Sequence, residues 1–261
     1  MSPVAVVTGA ARGIGAATVD RLVAEGWSVV AVDVCADDVV IGYGMGTRQE
    51  LDSLSSRHGV RVAPVVGDVR SQADMDSAVA VALDRFGVLD AVVAGAGVVG
   101  GGSPMWETDD DVWRALFEVN VVGVRRLVQA AVPALLDRET PRDGRVVAVA
   151  SAAGMLGMRR LGGYVASKHA VIGMMRSLAA DLAGTGVTAN AVCPGSTRTA
   201  TLEASAQIYG LDSVEELASH QLLERLLEPE EPAALIAWLC GPSSSGITGA
   251  ALVADGGMTA F

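Results

Sequence analysis

The N-terminal strand, glycine turn and helix constrain the fold most. Val4-Ala5-Val6-Val7 is a continuous apolar run, the pattern of a parallel strand buried on both faces. Thr8-Gly9-Ala10-Ala11-Arg12-Gly13-Ile14-Gly15 follows, and then a helical segment to about residue 25. Glycines in such a turn let the main chain approach a pyrophosphate, which sits at the positive end of the helix. A second strand over 28–32 ends in Asp33, twenty residues beyond Gly13. An acidic side chain there can bond the ribose hydroxyls of an adenosine and repel a 2′-phosphate, which favours NAD over NADP. Arg12 is a counter-signal, because a base near this loop can hold that phosphate.

The same alternation runs through the rest of the chain. Further strands are expected at 61–66, 89–94, 144–150, 187–192 and 251–254, separated by helices over 47–58, 71–86, 107–138, 162–184 and 230–240. With 261 residues, this predicts a single α/β domain, 1–261. The connection over 34–50 is long for a βαβ unit and mixes Val, Ile, Tyr and Met with glycines, so it reads either as a surface loop or as a flap over the cofactor beside Asp33. Residues 196–228 are short helices that the core does not need, and read as a substrate lid.

Composition narrows the function. A net charge of −11 and no run of Lys or Arg argue against nucleic acid and anionic membranes. Three widely spaced cysteines and three histidines without ligand spacing point to a reducing compartment and no metal. No basic leader precedes the first strand, and we expect a cytoplasmic protein with no membrane span.

Tyr164-Val165-Ala166-Ser167-Lys168 is the strongest chemical signal. Spaced four apart, Tyr164 and Lys168 share one helix face. A unit positive charge about 4 Å away, at an effective dielectric near ~20, favours a phenolate by about 4 kcal/mol, or roughly three pKa units. That would bring the phenol near neutral pH, where an acid/base catalyst works best. Ser151 stands at the C-terminal end of an expected strand, where open parallel sheets bind ligands. Asp68-Val69 closes another strand, with Asp68 placed to hold an adenine amino group. Gly95-Ala96-Gly97 is a small-residue turn against which a cofactor can press. Met155, Leu156, Leu161, Leu202, Ile208 and Tyr209 are the candidate apolar pocket.

Thr8-Gly9-x3-Gly13-Ile14-Gly15, Asp68-Val69, Asn120, Ser151, Tyr164-x3-Lys168 and Pro194-Gly195-x3-Thr199, in that order, resemble the short-chain dehydrogenase/reductase family along essentially the whole chain. The resemblance implies a single doubly wound Rossmann-type α/β domain with a seven-stranded parallel sheet flanked by helices, NAD(P) chemistry and a homotetramer. It implies that Tyr164 exchanges a proton with the substrate oxygen. Lys168 would lower the Tyr164 pKa and hold the nicotinamide ribose, and Ser151 would position the substrate oxygen. Asn120 would fix a water in a relay to Lys168. Pro194, Gly195, Thr197 and Thr199 would pack the nicotinamide. One departure stands out: the family writes Asn-Ala-Gly where this chain has Gly95-Ala96-Gly97, which predicts a cost in stability.

The 34–50 insertion and the Cys193-to-Pro229 stretch resemble the mycofactocin-associated, carveol-dehydrogenase-like actinobacterial subgroup. That narrower resemblance implies a NAD that is not readily exchanged and electrons leaving to a peptide-derived redox carrier. The expected activity is an NAD-dependent oxidoreductase acting on a hydrophobic secondary alcohol or its ketone. The alternatives are an NADP-dependent ketoreductase of the ketoacyl-carrier-protein type and a non-catalytic cofactor-sensing protein.

Overall fold

The computed structural model describes residues 2–138 and 143–260. Its chain runs β1 (Val4–Thr8), α1 (Gly13–Ala24), β2 (Ser28–Asp33), α2 (Arg48–His58), β3 (Val62–Val66), α3 (Gln72–Phe86) and β4 (Ala91–Ala94). It continues through α4 (Asp110–Phe117), α5 (Gly123–Leu136), β5 (Arg145–Val149), α6 (Gly162–Asp181), β6 (Thr188–Pro194), α7 (Ala200–Tyr209), α8 (Glu230–Cys240) and β7 (Ala251–Ala254). The strands form one seven-stranded sheet in the order β3-β2-β1-β4-β5-β6-β7, with every pairing parallel.

Alternation along each strand serves two cores. Val4 and Val6 face a layer built by α3, α5 and α6, including Met75, Leu127 and Met175. Ala5 and Val7 face the opposite layer, from α1, α2 and α8, including Leu22, Leu51 and Ile236. A strand apolar at every position is what a sheet covered on both faces requires. Order reverses between β1 and β4, so the chain leaves opposite sides of a crevice at their C-terminal ends.

Local signals set the helix ends. Thr47 caps α2 in a reciprocal box with Glu50. Ser71 accepts from the Asp74 amide at the start of α3, and Gly87 ends it in the left-handed region (φ 81°). The expected helix over 107–138 is interrupted: a π-helical turn, Glu118–Val122, joins α4 to α5. The combined Asp110–Leu136 stretch is long and apolar enough to cross a membrane by composition. Here it packs Leu116, Val124, Leu127, Ala131 and Leu135 into the interior of the domain.

Candidate active site

A cavity of about 760 Å³ opens at the C-terminal ends of the strands. It is lined by every sequence-nominated cofactor residue, namely Gly9, Arg12, Gly13, Ile14, Gly15, Asp33, Asp68, Val69, Gly95, Ala96, Gly97, Pro194, Gly195, Thr197 and Thr199. Ser151, Tyr164 and Lys168 line it too. Asn120 does not.

The glycine turn is built for close approach. Gly9 and Gly13 have φ of +68° and +58°, and a Cβ on Gly9 would fall 2.7 Å from the Ala96 main chain. A Cβ on Gly15 would fall 2.0 Å from the Gly9 carbonyl oxygen, so helix α1 can pack this tightly on the turn only with glycine there. Arg12, the residue before α1, makes no side-chain capping bond, so no side chain of its own covers that helix end. This fits an anionic pyrophosphate group.

Asp33 organises the other end of that region. Its carboxylate accepts from the Ala11 amide at 3.0 Å and the Cys35 amide at 3.2 Å. Asp33 lines the cavity, and a carboxylate with one bond to each oxygen still has lone pairs to accept from a ribose hydroxyl. Asp68 is bound differently from expectation. Arg70 holds its carboxylate through Nε at 2.9 Å and Nη2 at 2.7 Å, and reaches Asp38 at 2.7 Å. Burial works against charge on Asp38 and Asp68. Hydrogen bonds from Arg70 and from the main chain outweigh it and hold both carboxyls below the ordinary range.

The Arg12 guanidinium donates through Nη2 to the Gly44 carbonyl. That bond helps tie down the 34–50 segment, which lies against the cavity as a strap. Asp37 accepts from the Met45 amide at 2.7 Å, and Asp38 accepts from Val40 at 2.8 Å. Ile41, Tyr43 and Met45 pack against the interior while Gly42 and Gly44 between them face out, an alternation that begins only after the exposed Val39.

At the other end, Ser151 follows β5 and Tyr164 and Lys168 project from the first turns of α6. Tyr164 and Ser151 line the same wall of the cavity, and the Ser151 Oγ accepts from the Ala153 amide at 3.1 Å. Lys168 Nζ donates to the Val149 carbonyl at 2.9 Å and lies 5.8 Å from the centroid of the Tyr164 ring. The titration differs from the sequence expectation. Burial pushes the Tyr164 phenol up to about 12, with Ser151 lowering it less than burial raises it. Burial brings the Lys168 amine down to about 8. The reason is that α6 buries both groups and aims the ammonium at a carbonyl, so lost hydration outweighs mutual attraction.

Asn120 sits on the π-helical turn, fully buried. Its Oδ1 accepts from the Val98 amide at 2.8 Å, and its Nδ2 donates to the Val98 carbonyl at 2.9 Å and Ser167 Oγ at 3.0 Å. Ser167 donates in turn to the Tyr164 carbonyl at 2.7 Å. The side chain therefore clamps the loop after β4 to α6, from behind the cavity wall. Gly97 explains the remaining closeness: a Cβ there would meet Lys168 Nζ at 3.2 Å and Asn120 Oδ1 at 3.4 Å.

Leu156, Leu161, Leu202 and Tyr209 line the cavity as expected. Met155 is instead 45% exposed, and Ile208 packs behind the wall with Tyr164 and Tyr209. Thr199 caps α7 and stands 3.1 Å from where a Gly13 Cβ would be, joining the two ends of the cavity. Two signals went unread in the sequence. All three tyrosines, Tyr43, Tyr164 and Tyr209, line this one cavity, and Lys168 is the only lysine in the chain. Scarcity of a residue type was the clue in both cases.

Comparison with known proteins agrees with this geometry. The family model described as enoyl-(acyl carrier protein) reductase matches residues 9–259. An uncharacterized oxidoreductase of Mycobacterium tuberculosis is 35% identical, over 97% of this chain and 95% of its own. (−)-trans-Carveol dehydrogenase of Rhodococcus erythropolis is 33% identical, over 98% of this chain and 97% of its own. The crystal structure of carveol dehydrogenase from Mycobacterium avium in complex with NAD superposes with a TM-score of 0.93 at 28% identity, covering 99% of this chain and 98% of that one.

Proposed function

The chain belongs to the short-chain dehydrogenase/reductase family and is an oxidoreductase of that type, and from this premise we propose that it exchanges hydride between NAD and a hydrophobic secondary alcohol or its ketone. The observation that carries this is the meeting of the glycine cradle and Asp33 with Ser151, Tyr164 and Lys168 in one cavity. NAD, when bound, supplies the hydride acceptor or donor. The main chain at Gly13 and Ile14 would hold its pyrophosphate, Asp33 the adenosine ribose, and Asp68 and Val69 the adenine side. Gly95, Ala96 and Gly97 would flank it. Pro194, Gly195, Thr197 and Thr199 would hold the nicotinamide end, with Lys168 on its ribose. Asp33, on the cavity wall, supports NAD over NADP, because a carboxylate there repels a 2′-phosphate.

Ser151 orients the substrate oxygen by hydrogen bonding, and Tyr164 exchanges the proton with it. A phenol raised to about 12 is protonated at neutral pH. Ketone reduction, which needs a proton donated, is thus ready at neutral pH, whereas alcohol oxidation rises as the solution becomes alkaline. Asn120 acts as a positioning residue, through Ser167 and the Tyr164 main chain. Leu156, Leu161, Leu202 and Tyr209 give the substrate an apolar wall, which suits an alicyclic alcohol.

In the finer reading, the 34–50 strap keeps NAD from exchanging, 196–228 closes over the substrate, and electrons leave to a mycofactocin-type carrier. The strap's ties to Arg12 and Arg70 support it. The test starts with protein purified without added cofactor. Denaturation should release NAD near one per chain, identified by mass spectrometry. The intact enzyme should oxidise carveol with an artificial electron acceptor far faster than with external NAD. Tyr164→Phe should lose at least a hundredfold in turnover while still carrying NAD. Full turnover by that variant would falsify the acid/base assignment, and empty protein that cycles external NAD freely would remove the covered cofactor.

A further inference from the structure

We propose that the adenine of NAD rests on the planar face of the Arg70 guanidinium, which Asp68 and Asp38 hold between them, and that the Asp68 carboxylate takes no bond from the base. The proposal rests on the reading of the cavity as an NAD site.

The sheet fixes where the base must lie. The glycine cradle follows β1, Asp33 ends β2, and β3 is the next strand outward. A dinucleotide with its pyrophosphate at Gly13 and its ribose at Asp33 therefore carries its base to the C-terminal end of β3. Gly67, Asp68, Val69 and Arg70 line the cavity there, together with Asp38 of the strap.

Asp68 has nothing left to offer that base. Its Oδ1 accepts from the Arg70 amide at 2.8 Å and from Arg70 Nε at 3.1 Å. Its Oδ2 accepts from Nε at 2.9 Å and Nη2 at 2.7 Å. A carboxylate has roughly four acceptor sites, and these contacts fill them.

Arg70 is engaged along its edges but not on its face. Nη1 donates to Asp38 at 2.7 Å, so two carboxylates grip the cation from different segments of the chain. These bonds lie in the guanidinium plane and fix it. The side chain is nonetheless 37% exposed, so part of the cation is uncovered where it lines the cavity. One cation between two anions leaves the cluster negative, which disfavours a phosphate at this end and not a neutral base. A guanidinium face stacks on an aromatic ring. Asp38 also accepts from the Val40 and Ile41 amides at 2.8 and 3.2 Å, so the strap helps set the plane on which the base lies.

The test measures affinity by equilibrium dialysis of the full chain, with labelled nucleotide exchanged to constant occupancy. The probes are NAD, its hypoxanthine analogue, which lacks the 6-amino group, and nicotinamide mononucleotide, which lacks the adenosine. Wild type should bind NAD and the hypoxanthine analogue nearly equally. Arg70→Met should weaken NAD about tenfold and leave the mononucleotide unchanged. Arg70→Lys keeps the charge without the plane and should not restore NAD binding. Asp38→Asn should weaken NAD in the same selective way, by less. A large loss for the hypoxanthine analogue on wild type would overturn the proposal, since Asp68 would then be reading the amino group. So would wild-type affinity in Arg70→Lys, or a loss in Arg70→Met shared equally by the mononucleotide. Wild type that binds neither NAD nor the mononucleotide would instead overturn the cofactor reading itself.

Discussion

Lys168 is the one lysine among 19 basic residues, and it is 5% exposed inside the cavity. A chain that uses arginine everywhere else keeps an amine here because an amine can lose its proton when buried, which a guanidinium does not do. Folding lowers its pKa from 10.5 to about 8, mainly through burial. The folded state thus binds this proton less tightly than the unfolded state. The resulting cost to stability is full below about pH 8 and disappears as the pH rises to 10.5. At 1.36 kcal/mol per unit it amounts to roughly 3 kcal/mol, partly offset by about 1 kcal/mol from the hydrogen bond to Val149. Lys168→Met should therefore lose turnover yet gain on the order of 2 kcal/mol of stability at pH 7, with the gain shrinking by pH 10. Denaturant titrations of both proteins at the two pH values check this. A variant no more stable at pH 7 would show that the ammonium is well solvated where it sits.

At the scale of elements, the turn after β4 departs from its family. The sequence predicts a cost from Gly95 standing where relatives of the fold carry asparagine. The structure closes that turn by other means: the Thr8 hydroxyl accepts from the Gly95 and Ala96 amides at 3.2 and 3.3 Å. β4 is then drawn so close to β1 that a Cβ at 95 would fall 2.6 Å from the Thr8 carbonyl oxygen. Restoring the family residue with Gly95→Asn should destabilise by about 1–3 kcal/mol, because the main chain must move to admit it. A raised melting temperature would mean that the turn had been lacking its asparagine after all. The strap follows similar logic, since its alternating Ile41, Tyr43 and Met45 make an inward face without joining the sheet.

At the scale of the whole molecule, β7 is an edge of the sheet, with no strand paired on its outer side among the described residues. Val253 on that strand is 46% exposed and Trp238 on α8 is 40% exposed, so an apolar edge faces outward. We expect a homotetramer in solution that uses this edge, and expect Trp238→Glu to yield smaller species by light scattering; a monomeric wild type would refute it. Strand positions, most helix positions and the glycine cradle were legible from residues alone, because apolar period, capping residues and steric need are local, whereas the order of the strands in the sheet was not. Tyr164 and Lys168 were legible for the same reason, since helix geometry alone puts residues four apart on one face. What Arg12 holds, which groups Asn120 clamps, that the Tyr43 hydroxyl meets the Val99 amide, and that Tyr164 titrates upward were decided by tertiary structure. Each depends on which distant groups meet and how much water is left between them, and neither quantity is carried by spacing along the chain.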